Sequence, residues 1–281
     1  MNSASIIANV FSIAAIVCYV VAAMRQYTLL QARPASPAME AGFIDSGKPA
    51  SISVPIASIA VACHLVSVVI TGFSNGSIGA SFFEVASATS LAVMIVALLS
   101  SRVLPGLIVP LALVAAMFML LNLWLGHFTP LAELDSATSA HIALSMTAYG
   151  VLCVASVAAL ILLLSERAIR QGRQSSWLSR MPPLEVIEKF LFRLVAIGWL
   201  LLGAGLVVGA VAIDNFFAQH LAHKTFFSVL SWLLFGALLL GRWRAGWRGT
   251  TAVKLTLFAF ILLIAAFLGS KFVLDVVLHR I

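Results

Sequence analysis

Long stretches of this chain are apolar at nearly every position, without the period-two alternation of a half-buried strand. Runs at residues 5–24, 51–72, 84–101, 104–126, 140–165, 190–213, 224–241 and 252–274 each approach the length that crosses a bilayer as a helix. In hydrocarbon only a helix or a closed barrel satisfies the backbone, and continuous apolarity excludes the barrel. The pattern predicts an all-α integral membrane protein, a single polytopic domain over residues 1–281 with about eight transmembrane helices. An even number of spans places both termini on one side. The first run has no positive charge before it and no small-residue cleavage site after it, and is read as a retained span.

The breaks between runs set the orientation. With both termini on the outer, periplasmic side, 14 of the 17 Lys and Arg fall on the cytoplasmic side, leaving Lys224, Lys271 and Arg280 outside with Glu133, Asp135 and Asp214. Residues 26–50, with Pro34, Pro37, Gly42, Gly47 and Pro49, read as a flexible loop. After the fifth run, residues 166–180 are polar and basic. Pro182-Pro183 then stops one element, and Leu184, Ile187, Phe190 and Leu191 form a stripe beside Glu185, Glu188 and Lys189, the pattern of a short interfacial helix. Gly198, Gly203, Gly205 and Gly209 let the sixth span pack closely, as ordinary small-residue helix contacts. Pro105 and Pro110 are placed to bend the start of the fourth.

Composition agrees: 62% of residues are apolar, 10% are charged and mean hydropathy is +1.09, outside the range of soluble domains. A net charge of +7 would suit nucleic acid, but the cations cluster between apolar runs rather than on one face. Cys18, Cys63 and Cys153 lie inside apolar runs and form no C-x-x-C, so neither a disulfide framework nor covalent haem attachment is indicated.

Ionisable groups inside hydrocarbon are functional candidates by default. His64 lies about two-thirds of the way out along the second run. His141 opens the fifth from outside, with Ser145 and Tyr149 below it on one face. That spacing brings the two histidines to similar depths on facing helices. Neutral imidazole is a good axial ligand for haem iron, and Lys224 is one of few outer cations available to a propionate. The alternative is that each ring simply donates to a neighbour such as Ser67. His220 and His223, at i and i+3, share a face if helical, and would hold a divalent metal or cap a haem, or belong to a polar interfacial loop. His127 and His279 have weaker claims. Asn122, Trp124, Ser87 and Ser90 are polar or amphipathic positions near the outer leaflet, while Glu84 marks a helix start. No catalytic constellation is present, so the chain is read as a non-enzyme.

In the last third stand Lys224-Thr225, Ser228, Ser231-Trp232, Gly241-Arg242, Gly246-Trp247-Arg248-Gly249 and residues 267–274. With Cys63-His64, His141, Tyr149 and Met181-Pro182-Pro183-Leu184 upstream, the pattern resembles the cytochrome c assembly protein family, in particular its small inner-membrane branch related to HemX and YpjD. The resemblance implies a multi-pass protein of the bacterial inner membrane that handles haem b for cytochrome c assembly. It implies His64 and His141 as axial iron ligands, with His220, His223, Lys224 and Tyr149 in the same region. Where haem-presenting members carry a Trp-rich loop, residues 214–223 hold only Phe216 and Phe217. Expected partners are haem, the bilayer, other cytochrome c assembly proteins and a soluble cytoplasmic protein at the basic loops, with no nucleic acid. Two other classes stay open: a HemX-like regulator of tetrapyrrole synthesis, and a small-solute permease, which would show inverted repeats and broken helices.

Overall fold

The computed structural model of the chain describes residues 3–32, 52–75, 81–126, 136–172, 181–212 and 219–266, and no strand occurs among them. Helix α1 spans Ser3–Gln31, α2 Ser53–Asn75 and α3 Phe82–Ser100. A 3-10 turn, Pro105–Leu107, leads into α4, Ile108–Leu125, and α5 is Ser136–Arg170. Then follow α6, Leu184–Ala212, α7, Gln219–Ala245, and α8, Gly249–Ile264. Taking the turn with α4, seven helices are long and apolar enough to cross a membrane, and α8 is apolar over 16 residues. Residues 33–50 of the Pro- and Gly-rich loop, segment 173–180, His127, His279 and residues 267–274 lie outside the described residues.

Three expectations about local structure change. There is no separate interfacial helix before the sixth span: α6 runs unbroken from Leu184, with Ile187 and Leu191 buried in the core. Pro182 and Pro183 precede its first residue, where a missing N–H costs nothing, and no residue after them stops a helix. α1 likewise continues through Arg25 to Gln31. The prolines of the fourth span fall at its start rather than inside it: Pro105 starts the 3-10 turn and Pro110 falls in the first turn of α4. There its N–H would have no partner in any case. The start of α3 follows the sequence: Ser81 accepts from the Glu84 N–H at 3.3 Å while Glu84 accepts from the Ser81 N–H at 3.0 Å, a complete capping box.

The helices form two four-membered rings. α1 packs on α2, α2 on α3, α3 on α4 and α4 on α1; in the second half α5 packs on α6, α6 on α7, α7 on α8 and α8 on α5. The main bridge between the rings is α3 against α5. α5 is the most buried of the spanning helices and forms the axis of the whole, whereas α7 is the least buried and lies at the periphery.

Small residues set the closest approaches. A Cβ on Gly150 of α5 would stand 3.2 Å from the Ala92 carbonyl carbon of α3, so the rings meet backbone to backbone there. Further along, Met181 fills the space beside Gly106 of the 3-10 turn, its Cε 3.0 Å from a Cβ position, and bolts the two rings together at that end.

Gly150→Leu is expected to lower stability by ~1–3 kcal/mol, because the neighbour is backbone and cannot move aside. A thermal melt in detergent, compared with the smaller Gly150→Ala, measures it.

Candidate functional site

His141 sits in the second turn of α5, facing α6. Its Nδ1 is 2.7 Å from the Gly205 carbonyl oxygen. A carbonyl can only accept, so Nδ1 carries the ring proton and Nε2 keeps its lone pair. Among the described residues nothing bonds to Nε2. Gly209, one turn beyond Gly205, supplies the space: a Cβ there would lie 2.6 Å from Nδ1 and 2.7 Å from Cε1. The pair Gly205-x-x-x-Gly209 therefore does more than let two helices approach. One glycine's carbonyl orients the imidazole and the other's missing side chain makes room for it.

His64 is arranged differently. It lies on α2, fully buried, with Tyr19 Oη 3.2 Å from Nδ1 and Ser87 Oγ 3.0 Å from Nε2. If Nδ1 held the proton, the fully buried Tyr19 hydroxyl would have nothing to donate to. Tyr19 therefore donates to Nδ1, and Nε2–H donates to Ser87. Both ring nitrogens are in use, and three helices are tied together. Ser90 adds a bond to the Ser87 carbonyl oxygen at 2.8 Å.

The triad is one step of a longer ladder. Ser12, Tyr19 and Gln26 recur every seven residues on the buried face of α1. Across from them on α2, Ser67 is 2.7 Å from Ser12 and Ser53 is 2.5 Å from Gln26. Steps of three and four residues separate the buried Ser53, Ala57, Ala60, His64 and Ser67, so the two helices mesh as an antiparallel pair whose seam alternates alanine and polar contacts.

Other expected site residues fall elsewhere. Tyr149 is buried on α5, but its hydroxyl donates to the Leu263 carbonyl at 2.9 Å, tying α5 to α8. Lys224 lies on α7 and has an interaction of its own within the protein. The backbone of His220 and His223 belongs to the first turns of α7, but their side chains lie outside the described residues. His64 and His141 share no bond or ring contact: one belongs to the first ring and the other to the second. Of the outer polar positions, Ser87 and Ser90 join the His64 network, Asn122 Oδ1 is buried without a partner among the described residues, and Trp124 is 81% exposed.

Below His141, α6 and α7 exchange indoles. Trp199 and Trp232 stack at 5.3 Å and 8°, and Trp199 Nε1 donates to the Trp232 carbonyl at 3.1 Å. Each ring lies against the glycine four residues along the facing helix, Trp232 on Gly203 and Trp199 on Gly236. At the opposite end of the second ring, Glu188 of α6 takes Arg242 at 2.6 Å and Arg248 at 3.2 Å. Two cations of the basic segment expected to dock a soluble protein, Arg242 and Arg248, thus share one carboxylate.

Haem iron asks for an imidazole nitrogen with a lone pair and an apolar wall. His141 meets the first requirement in the second ring. His64 does not, since a bond to iron would displace either Ser87 or Tyr19. Among the described residues no three of His, Cys, Asp and Glu converge as a metal-holding group, so a bare divalent ion has no built site there.

Comparison with known proteins matches the family model described as Cytochrome C assembly protein over residues 52–278. The chain is 38% identical over 140 residues to an uncharacterized 28.8 kDa protein in the nifR3-like 5' region of Azospirillum brasilense, spanning 49% of this chain and 52% of that one, about half its length. It is 29% identical over 225 residues to the inner membrane protein YpjD of Escherichia coli K12, spanning 77% of this chain and 84% of that protein. No solved structure matches.

A double-mutant cycle on Tyr19→Phe and His64→Leu is expected to give a coupling of about 1 kcal/mol, the range of interhelical hydrogen bonds in membranes. Additive melting shifts would show that the two side chains do not bond.

Proposed function

The chain belongs to the cytochrome c assembly protein family, and from that membership we propose that it handles haem with His141 as the anchoring histidine. That role belongs to cytochrome c biogenesis, in a multi-pass protein of the bacterial inner membrane. The finer reading is a haem b binding protein that acts by holding its cargo rather than by turnover.

The observation that carries it is the His141 Nδ1–H bond to the Gly205 carbonyl. Metal-ligating histidines characteristically donate their second nitrogen to a carbonyl or carboxylate, which fixes the ring and raises the basicity of the other. Here that orienting partner is backbone on a rigid helix, and the ring is held in a glycine slot. His220, His223 and Lys224 begin α7, the helix that follows α6 in the ring, and remain the candidates for a second ligand and a propionate partner. The stacked Trp199 and Trp232 add an apolar aromatic wall on the next helix pair.

Bound haem would supply a redox-active iron and a visible spectrum. Haem added to the purified protein is expected to give a Soret band that His141→Ala weakens and that His64→Ala leaves at its wavelength. An unaltered spectrum in His141→Ala would remove His141 from the site. Gly209→Val is a second probe: its side chain enters the imidazole slot, so haem retention should fall by more than tenfold while far-UV circular dichroism stays helical. Deleting the gene should lower holocytochrome c, read by haem staining of membranes.

A further inference from the structure

The inner end of the second ring carries more charge than it can pair. Among the described residues of segments 166–170, 184–193 and 242–254 there are eight basic and three acidic side chains. Glu166 pairs with Arg170, Glu185 with Lys189, and Glu188 with Arg242 and Arg248. Arg167, Arg193, Arg244 and Lys254 are exposed and make no ion pair among the described residues. Arg244 only stacks over Trp243, at 5.8 Å from the ring centroid.

Their depths differ, and depth selects the partner. Trp243 is 80% exposed beside Arg242, which reaches Glu188, so this level marks the membrane interface, where tryptophan side chains collect. Arg167 and Arg244 stand near the ends of their helices, at that level or outside it. Arg193 is five residues further along α6 than Glu188, and Lys254 five residues into α8 from Gly249. At the helical rise, each lies ~7.5 Å deeper than the interface level. Both point away from the protein, from helices on opposite corners of the ring.

A soluble acidic protein does not reach that depth. A lipid phosphate does, because the long Arg and Lys stems extend along the apolar surface and lift the charge to the headgroup layer. We propose that Arg193 and Lys254 are docking points for anionic glycerophospholipids, whose net negative headgroups match the surplus charge at this end. An acidic soluble partner would use the shallower Arg167 and Arg244 instead.

The test measures association of chain-spin-labelled phosphatidylglycerol and phosphatidylcholine with the full protein in phosphatidylcholine vesicles. Phosphatidylglycerol should be preferred, and R193Q/K254Q should reduce that preference by about fivefold per cation. R193K/K254R should keep it, and R167Q/R244Q should keep most of it. Equal association of the two lipids with the native chain overturns the proposal. So does a preference that survives R193Q/K254Q and disappears in R167Q/R244Q, which would place the lipid contact at the shallower arginines instead. If R193Q/K254Q does not fold, salt decides with the native chain: charges held at headgroup depth keep their preference at high ionic strength, and a preference erased by salt refutes them as the site.

Discussion

Hydrocarbon offers no hydrogen bonds, and this single constraint organises the molecule. A polar side chain that enters the bundle is stabilised by a partner on a neighbouring helix or on its own backbone, and among the described residues few buried polar atoms, such as Asn122 Oδ1 and Trp232 Nε1, lack one. Pairing across helices requires them to come close, and closeness requires small residues. Glycine and alanine therefore stand wherever a polar group is handled: Ala57 and Ala60 between Ser53 and His64, Gly205 and Gly209 around His141, Gly203 and Gly236 beneath the two indoles. Most serines and threonines without an interhelical partner turn back onto carbonyls three or four residues earlier, as Ser156 and Thr256 do. The same constraint explains why Glu188 sits at a helix end, where it can gather two arginines and still border the headgroup layer.

The two histidines show how identical chemistry diverges under that rule. His64 faces two hydroxyls and is consumed by them, so its ring becomes a three-helix brace. His141 faces bare backbone, so one nitrogen is fixed and the other is released. The distinction lies in the neighbours, Tyr19 and Ser87 against Gly205 and Gly209, and those neighbours come from helices distant in sequence. The division also follows the architecture: the first ring holds a polar seam that locks α1 on α2, and the second holds the open imidazole, the indole pair and the arginine cluster.

Much of this was legible in the chain, because the signals were local. Apolar runs located the helices, the Ser81 and Glu84 pair marked a start, and the family motifs drew attention to the last third. What stayed hidden depends on which helix faces which. Ser12, Tyr19 and Gln26 recur at seven residues inside an otherwise apolar span, a signal that was available but is faint, since serine and tyrosine are tolerated in membranes for several reasons. The Gly205-x-x-x-Gly209 pair looks the same whether it admits a helix or an imidazole. The continuity of α6 was missed because Pro182-Pro183 suggested an ending, when a proline just before a helix marks its beginning.

The slot beside Gly209 also constrains how the protein can change over generations. Space that exists only because a side chain is missing cannot be restored by altering the residue that occupies it. A larger residue at position 209 evicts the imidazole, and loss of the imidazole leaves a void that a larger residue at 209 would fill with profit to packing. Once His141 has lost its role, drift at 209 runs one way, toward bulk, and closes the route back. The histidine and the glycine thus form a ratchet, inherited together or abandoned together.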